Sequence, residues 1–151
     1  MLVTNQAVLD RWFEKAANDP EVRRWLSPKS LMIPPRVGES TLDAMHFLVG
    51  EALVTLRFDR MLMEASVAMY NTGTVADGAA ALDEAYRIGY NSGPWRALRS
   101  ACSVGNKRSF KLNRRIFGEP WGISRKSAWD AGTGEWADEA HFRRLRDDVE
   151  G

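Results

Sequence analysis

The chain has 151 residues, 21 Lys plus Arg against 20 Asp plus Glu, and a formal net charge of +1, a balance that argues against nucleic acid or any other partner selected by bulk charge. One cysteine and two histidines exclude a disulfide framework and the usual Cys/His zinc clusters, and no apolar run approaches the roughly 18 residues of a membrane helix. With 44% hydrophobic residues, 27% charged residues and six tryptophans, the composition is that of one folded domain over 1–151. A reducing, cytoplasmic setting is expected, since residues 1–6 lack the basic and apolar pattern of a signal peptide.

Asn5 is placed to cap a first helix whose stripe is Val8, Leu9, Trp12, Phe13 and Ala16. Asp19-Pro20-Glu21 starts a second, short helix that buries Val22, Trp25 and Leu26 and stops at Ser27-Pro28. Residues 27–41, with Pro28, Pro34, Pro35 and Gly38, read as a loop. Two apolar runs, 44–50 and 52–58, meet at Gly50-Glu51 as a hairpin. A third strand over 62–70 alternates, Met63, Ala65, Val67 and Met69 on one face, Glu64, Ser66 and Ala68 on the other.

A loop from Asn71 to Asp77 leads into an alanine-rich helix over about 77–91, with Asp77 as the expected cap and Asn91-Ser92-Gly93-Pro94 as the stop. Residues 95–104 read as a strand, and Asn106 caps a helix reaching Phe117. Two strands, 121–130 and 135–145, flank the turn Asp130–Gly134, although periodicity also allows a helix over Trp136–Arg146. Three consecutive strands imply an antiparallel meander, and the β-α-β step across 62–104 implies one parallel pairing with a right-handed crossover. The fold class is α+β: a mixed, mostly antiparallel sheet with helices on both faces.

Three segments resemble the GNAT acyltransferase superfamily, most clearly over 62–145. The helix Asn106-Lys107-Arg108-Ser109 to Phe117-Gly118 resembles the family's helix that opens on Asn with a small residue three positions on. The segment from Trp121 through Asp130-Ala131-Gly132-Thr133-Gly134 to Asp138 resembles its closing hairpin. Val75-Ala76-Asp77-Gly78-Ala79-Ala80 resembles its pyrophosphate loop. Within the superfamily the likeness is to small proteins encoded by bacteriophages.

The resemblance implies acetyl-coenzyme A as co-substrate. It implies backbone amides from Asp77, Gly78, Ala79 and Ala80 facing the pyrophosphate, since helix N-termini bind anions. Met69 and Tyr70 would present strand-end groups to the pantetheine arm and acetyl group, with Asn106 and Ser109 beside the same arm. Glu64 is the candidate general base, which would deprotonate an amine before its attack on the thioester. The sequence departs from the pattern at four places, the first being a helix that ends Phe117-Gly118 where the family has the reverse order. Val75 replaces Gln or Arg, Asp77 replaces a basic residue, and Asn113 stands where the family often has a tyrosine acid.

Each residue also has a plainer reading. Glu64 reads equally as a solvated strand-face acid, His46 and His141 as structural histidines, and Cys102 as a small core residue without a base beside it. Trp95 and Trp121 either line an acceptor side or simply pack. Lys107, Arg108, Lys111, Arg114 and Arg115, with Arg96 and Arg99, form a basic patch that suits either phosphate or solvent. Two functions follow: N-acyl transfer from a coenzyme A thioester to an unidentified amine, or a non-enzymatic GNAT-like protein of phage head or virion assembly. Homo-oligomerisation stays open.

Overall fold

The computed structural model describes residues 1–28, 34–37 and 44–146. Most of the expected 27–41 loop, and residues 147–151, lie outside them. The described elements are α1 (Gln6–Asn18), α2 (Pro20–Arg23), β1 (Ala44–Val49), β2 (Ala52–Asp59), β3 (Glu64–Asn71), α3 (Val75–Asn91), β4 (Ala97–Ser103), α4 (Lys107–Phe117), β5 (Gly122–Asp130) and β6 (Glu135–Leu145).

The six strands form one sheet in the order β1-β2-β3-β4-β6-β5. Every pairing is antiparallel except β3–β4, which α3 connects as the crossover. Residues 1–3 extend the outer edge, Val3 N–H donating to His46 O at 2.7 Å and Leu48 N–H to Met1 O at 2.8 Å, so the free edge of β1 is covered.

Alternation along the strands sends side chains to two cores. Val54, Leu56, Ala65 and Val67 pack against Leu82 and Ala85 of α3 and Leu112 and Phe117 of α4. On the opposite face Leu48, Leu53 and Tyr70 pack against Leu9, Phe13 and Ala16 of α1. Burial on this scale, at about 25 cal/mol per Å² of apolar surface, fixes which way each strand faces. The α+β class with helices on both faces is the observed one. The segment Glu135–Leu145, which periodicity left between helix and strand, is strand β6, because its pairing with both β4 and β5 decides the matter.

Local chemistry sets the helix ends. Asn5 Oδ1 accepts from Ala7 N–H at 2.9 Å, and Asp19 Oδ1 from Glu21 N–H at 2.9 Å. The start of α3 corrects the sequence expectation: the cap is Thr74, less than one turn ahead of the expected cap Asp77. Asp77 occupies the third helical position and closes a capping box with Thr74. Among the described residues, no helix is long and apolar enough to cross a membrane.

Candidate active site

The parallel β3–β4 pair is short. It runs Glu64↔Ala97, Ala65↔Leu98 and Ser66↔Arg99, and then stops. Beyond it, the β3 residues Val67–Asn71 and the β4 residues Ser100–Ser103 diverge and line a cleft of about 860 Å³ that passes through the sheet. That is the size of a site for a cofactor or drug-sized ligand. The cleft has two sides. Met69, Asn71, Val75, Arg108, Ser109, Leu112 and Asn113 line it on the α3–α4 face, Trp25, Tyr70, Glu139 and His141 line it on the α1–α2 face, and Trp129 and Trp136 line its β5–β6 end.

Of the residues the sequence marked, Met69, Tyr70, Asn106 and Ser109 all line this cleft. Tyr70 is buried, its ring edge-on to Phe13 at 5.5 Å between centroids. Asn106 Oδ1 is engaged as the cap of α4, accepting from Ser109 N–H at 3.2 Å. Asn113 Nδ2 donates to Ser109 O at 2.9 Å and to Ser109 Oγ at 3.2 Å, one turn apart on α4. Its other amide atom, Oδ1, is buried without a hydrogen-bond partner among the described residues, and the residue is 4% exposed.

Asp77, Gly78, Ala79 and Ala80 lie inside α3 rather than ahead of it. Asp77 N–H donates to Thr74 Oγ1 at 3.1 Å and Gly78 N–H to Thr74 O at 3.2 Å. Gly78 is buried. A Cβ there would lie 2.8 Å from Asn71 Nδ2 and 3.2 Å from Leu112 Cδ2, so the missing side chain serves helix packing.

Glu64 has a setting that neither sequence reading described. It is 3% exposed and does not appear among the residues lining the cleft. Arg96 Nη2 donates to its Oε1 at 3.0 Å, and Arg143 Nη1 lies 3.8 Å from the same oxygen. Arg99 Nε stands 3.1 Å from Oε2, at ion-pair distance but out of line for a hydrogen bond. Three guanidinium groups thus gather around one buried carboxylate. It anchors Arg99, which does line the cleft. Glu64 is therefore buried rather than solvated, and its oxygens are committed to cations.

His46 is also committed. Its Nδ1 is 2.8 Å from Thr55 Oγ1 and its Nε2 is 3.0 Å from Arg36 O. Burial pushes its titration below the ordinary histidine value. His141 differs. It lines the cleft, with Nε2 hydrogen-bonded to Ser124 Oγ and 3.6 Å from Glu139 Oε1. Glu139 lines the cleft too, and the two alternate on one face of β6. The sequence carried that i, i+2 spacing, but only the pairing of β6 with β4 aims it at the cleft.

Cys102 faces the α4 side, 8% exposed. Burial pushes its thiol up to about 11, against the pull of hydrogen bonds from Ser109 and Asn113. Across the mouth, Arg24 at the end of α2 clamps Asp130 at the end of β5, with Nε–Oδ1 at 3.0 Å and Nη2–Oδ2 at 3.2 Å. The backbone repeats the tie, Ala131 N–H donating to Arg24 O at 3.0 Å. Among the described residues, no group of three or more His, Cys, Asp or Glu is arranged to hold a metal.

A seven-element β-β-β-α-β-α-β core whose sheet parts at its one parallel pair defines the GNAT acetyltransferase fold, and this chain has it. Solved structures bear this out across nearly the whole chain. The spermidine/spermine N-acetyltransferase SpeG of Vibrio cholerae, in mutant form, superposes with TM-score 0.76 at 10% identity, covering 99% of this chain and 96% of its own. RimL, a ribosomal L7/L12 α-N-protein acetyltransferase solved with coenzyme A, gives 0.72 at 13%, covering 97% and 94%. A probable acetyltransferase gives 0.72 at 14%, covering 97% and 93%. No family model and no curated protein sequence matches the chain.

Proposed function

We propose that the chain is an N-acyltransferase that moves an acyl group, acetyl in the simplest case, from a coenzyme A thioester to a primary amine by direct transfer. The observation that carries this reading is the parting of β3 from β4 after Ser66↔Arg99, which leaves strand-edge backbone groups facing a cleft open on both faces of the sheet. Met69 and Tyr70 present that edge to the thioester carbonyl, where backbone donors stabilise the developing oxyanion. Asn106 and Ser109 flank the thiol-bearing arm, and the acceptor enters from the opposite face, past Trp25 and Tyr70.

His141, oriented by Ser124 and Glu139, receives the proton of the attacking amine. The new C–N bond forms as the C–S bond breaks, and the released proton ends on the departing thiolate. Glu64, the sequence candidate for the base, acts in this reading at one remove, by holding Arg99 at the floor of the cleft. The test is to incubate the protein with acetyl-coenzyme A and a panel of primary amines and to measure the acetylated acceptor by mass spectrometry. Turnover abolished in His141→Ala and retained in His46→Ala supports the assignment. Turnover unchanged in His141→Ala overturns it.

A second reading rests on a different feature. Ile123 and Trp136 are exposed large apolar residues on the β5–β6 hairpin, and β5 is the edge of the sheet. A non-enzymatic phage head or virion role would use that face. Light scattering decides: assembly that Trp136→Ala abolishes supports it, and a monomer that turns over acetyl-coenzyme A excludes it.

A further inference from the structure

The loop between β3 and α3 has its amides already occupied by the chain's own oxygens. Thr72 N–H donates to Glu51 O at 3.2 Å, Gly73 N–H to Asn71 Oδ1 at 2.9 Å and Thr74 N–H to Asp77 Oδ2 at 3.2 Å. Asp77 N–H and Gly78 N–H are both taken by Thr74. From Thr72 to Gly78, only the amides of Val75 and Ala76 have no acceptor among the described residues. An anion at a helix N-terminus needs those donors.

The carboxylate of Asp77 fills the space as well as the valence. A Cβ on Gly50 would lie 2.5 Å from Asp77 Oδ1, and one on Gly73 would collide with Oδ2. Two glycines, one in the β1–β2 turn and one in the loop, thus leave room for a fixed negative charge at the mouth of α3. Arg108 Nη2 donates to Gly73 O at 3.1 Å, so the guanidinium beside the loop is spent on closing it. A second anion meets like charge here and few free donors.

The opposite holds deeper in the cleft. Asn113 Oδ1 is an acceptor with no donor among the described residues, and its orientation is fixed because Nδ2 is pinned by Ser109. A buried acceptor left unpaired is costly, and a ligand N–H relieves that cost. The pantetheine arm of coenzyme A carries two amide N–H groups; its diphosphate carries none.

Resting on the acyltransferase reading, we propose that this site recognises its donor through the pantetheine arm and thioester, with Asn113 as the specifying acceptor, while Asp77 excludes the diphosphate from α3. The substrate class is pantetheine thioesters, and the nucleotide of coenzyme A stays outside the contact surface. The test is calorimetry of the full chain with coenzyme A and with pantetheine. The expected dissociation constants agree within about threefold. Coenzyme A binding about thirtyfold or more tightly than pantetheine overturns the inference and leaves the transferase reading intact.

Two variants read the two halves separately. Asp77→Asn keeps an acceptor for Thr74 N–H but removes the charge, and is expected to tighten coenzyme A about fivefold with pantetheine unchanged. Pantetheine binding there doubles as the folding control. Asn113→Leu is expected to weaken both ligands by the same factor, about tenfold. Equal coenzyme A affinity in wild type and Asp77→Asn overturns the role of Asp77. Binding of neither compound to the wild type overturns the acyltransferase reading and the inference together.

Discussion

The two walls of the cleft are built on opposite principles. The β3–α3 loop is nearly saturated: apart from Val75 and Ala76, its amides, cap hydroxyl and carboxylate close on one another through Asn71, Thr74 and Asp77. The β4–α4–β6 wall holds the reactive remainder, with an orphan acceptor on Asn113, the thiol of Cys102 and the His141–Glu139 pair. A loop tied in this way holds its shape, because most of its polar groups have already made their bonds. An unsaturated wall binds and reacts, because its groups gain most from a ligand. On the proposed reading, the donor is therefore met by the second wall rather than by the helix N-terminus of the first.

The largest expected effect is on turnover and tests the reactive wall directly. Removing a positioned general base costs about 10²–10⁴ in rate. His141→Ala should therefore lose at least about a hundredfold in kcat with KM for the donor little changed. Glu139→Gln, which acts on His141 rather than on substrate, should lose less and shift the pH profile of kcat. Equal losses from Glu64→Gln would move the base to the saturated side of the sheet and break the comparison.

Next is the thiol. With its titration pushed up to about 11 from an ordinary 9.0, Cys102 should alkylate with iodoacetamide about a hundredfold slower than a free thiol at pH 8, from the thiolate fraction alone. Since Cys102 lines the cleft, pantetheine should slow it further. Fast labelling at neutral pH would show that the wall is open to solvent in a way the packing denies.

Glu64 comes third. Glu64→Ala leaves Arg96, Arg99 and Arg143 facing one another, though these are 57%, 38% and 40% exposed and partly solvated. The loss should be about 2 kcal/mol, or about 4–8 °C in Tm for a chain of this size. A thermal melt checks it. If Glu64→Ala instead melts with the wild type, the cluster contributes nothing to the fold.

What the sequence made legible and what it hid divide along the same line. Caps and turns are local, so Asn5, Asp19, Gly50-Glu51 and Asp130–Gly134 read correctly from a few residues. The alternation of β3 also read correctly, with Ala65, Val67 and Met69 on the α3–α4 face. The start of α3 was misplaced because Thr74 and Asp77 are both good caps. The spacing Thr-x-x-Asp is a capping-box signature that would have chosen Thr74. Glu64 was hidden because its partners lie 32, 35 and 79 positions away, on β4, its approach and β6, and only the sheet assembles them. His141 needed the β4–β6 register to point anywhere at all.

The smallest effect concerns the clamp that spans the mouth between α2 and β5. The Arg24 guanidinium, with help from the amides of Gly132 and Thr133, holds the Asp130 carboxyl down to about 2 from an ordinary 3.8. A carboxyl depressed on folding stabilises the native state fully above its unfolded value, and that contribution drains away as pH falls through the folded value. The stability gap between wild type and Asp130→Asn should therefore be constant at neutral pH, narrow below about pH 4 and be mostly lost by about pH 2. Arg24 is 43% exposed, so water and salt screen the pair and the gap should be modest and shrink with added salt. Denaturant melts across that pH range measure it. A gap that persists unchanged at pH 2 would mean that the geometry of the β5–β6 turn, through the Gly132 and Thr133 amides, and not the charge of Arg24, is what ties the Trp25 side of the cleft to the Trp129 side.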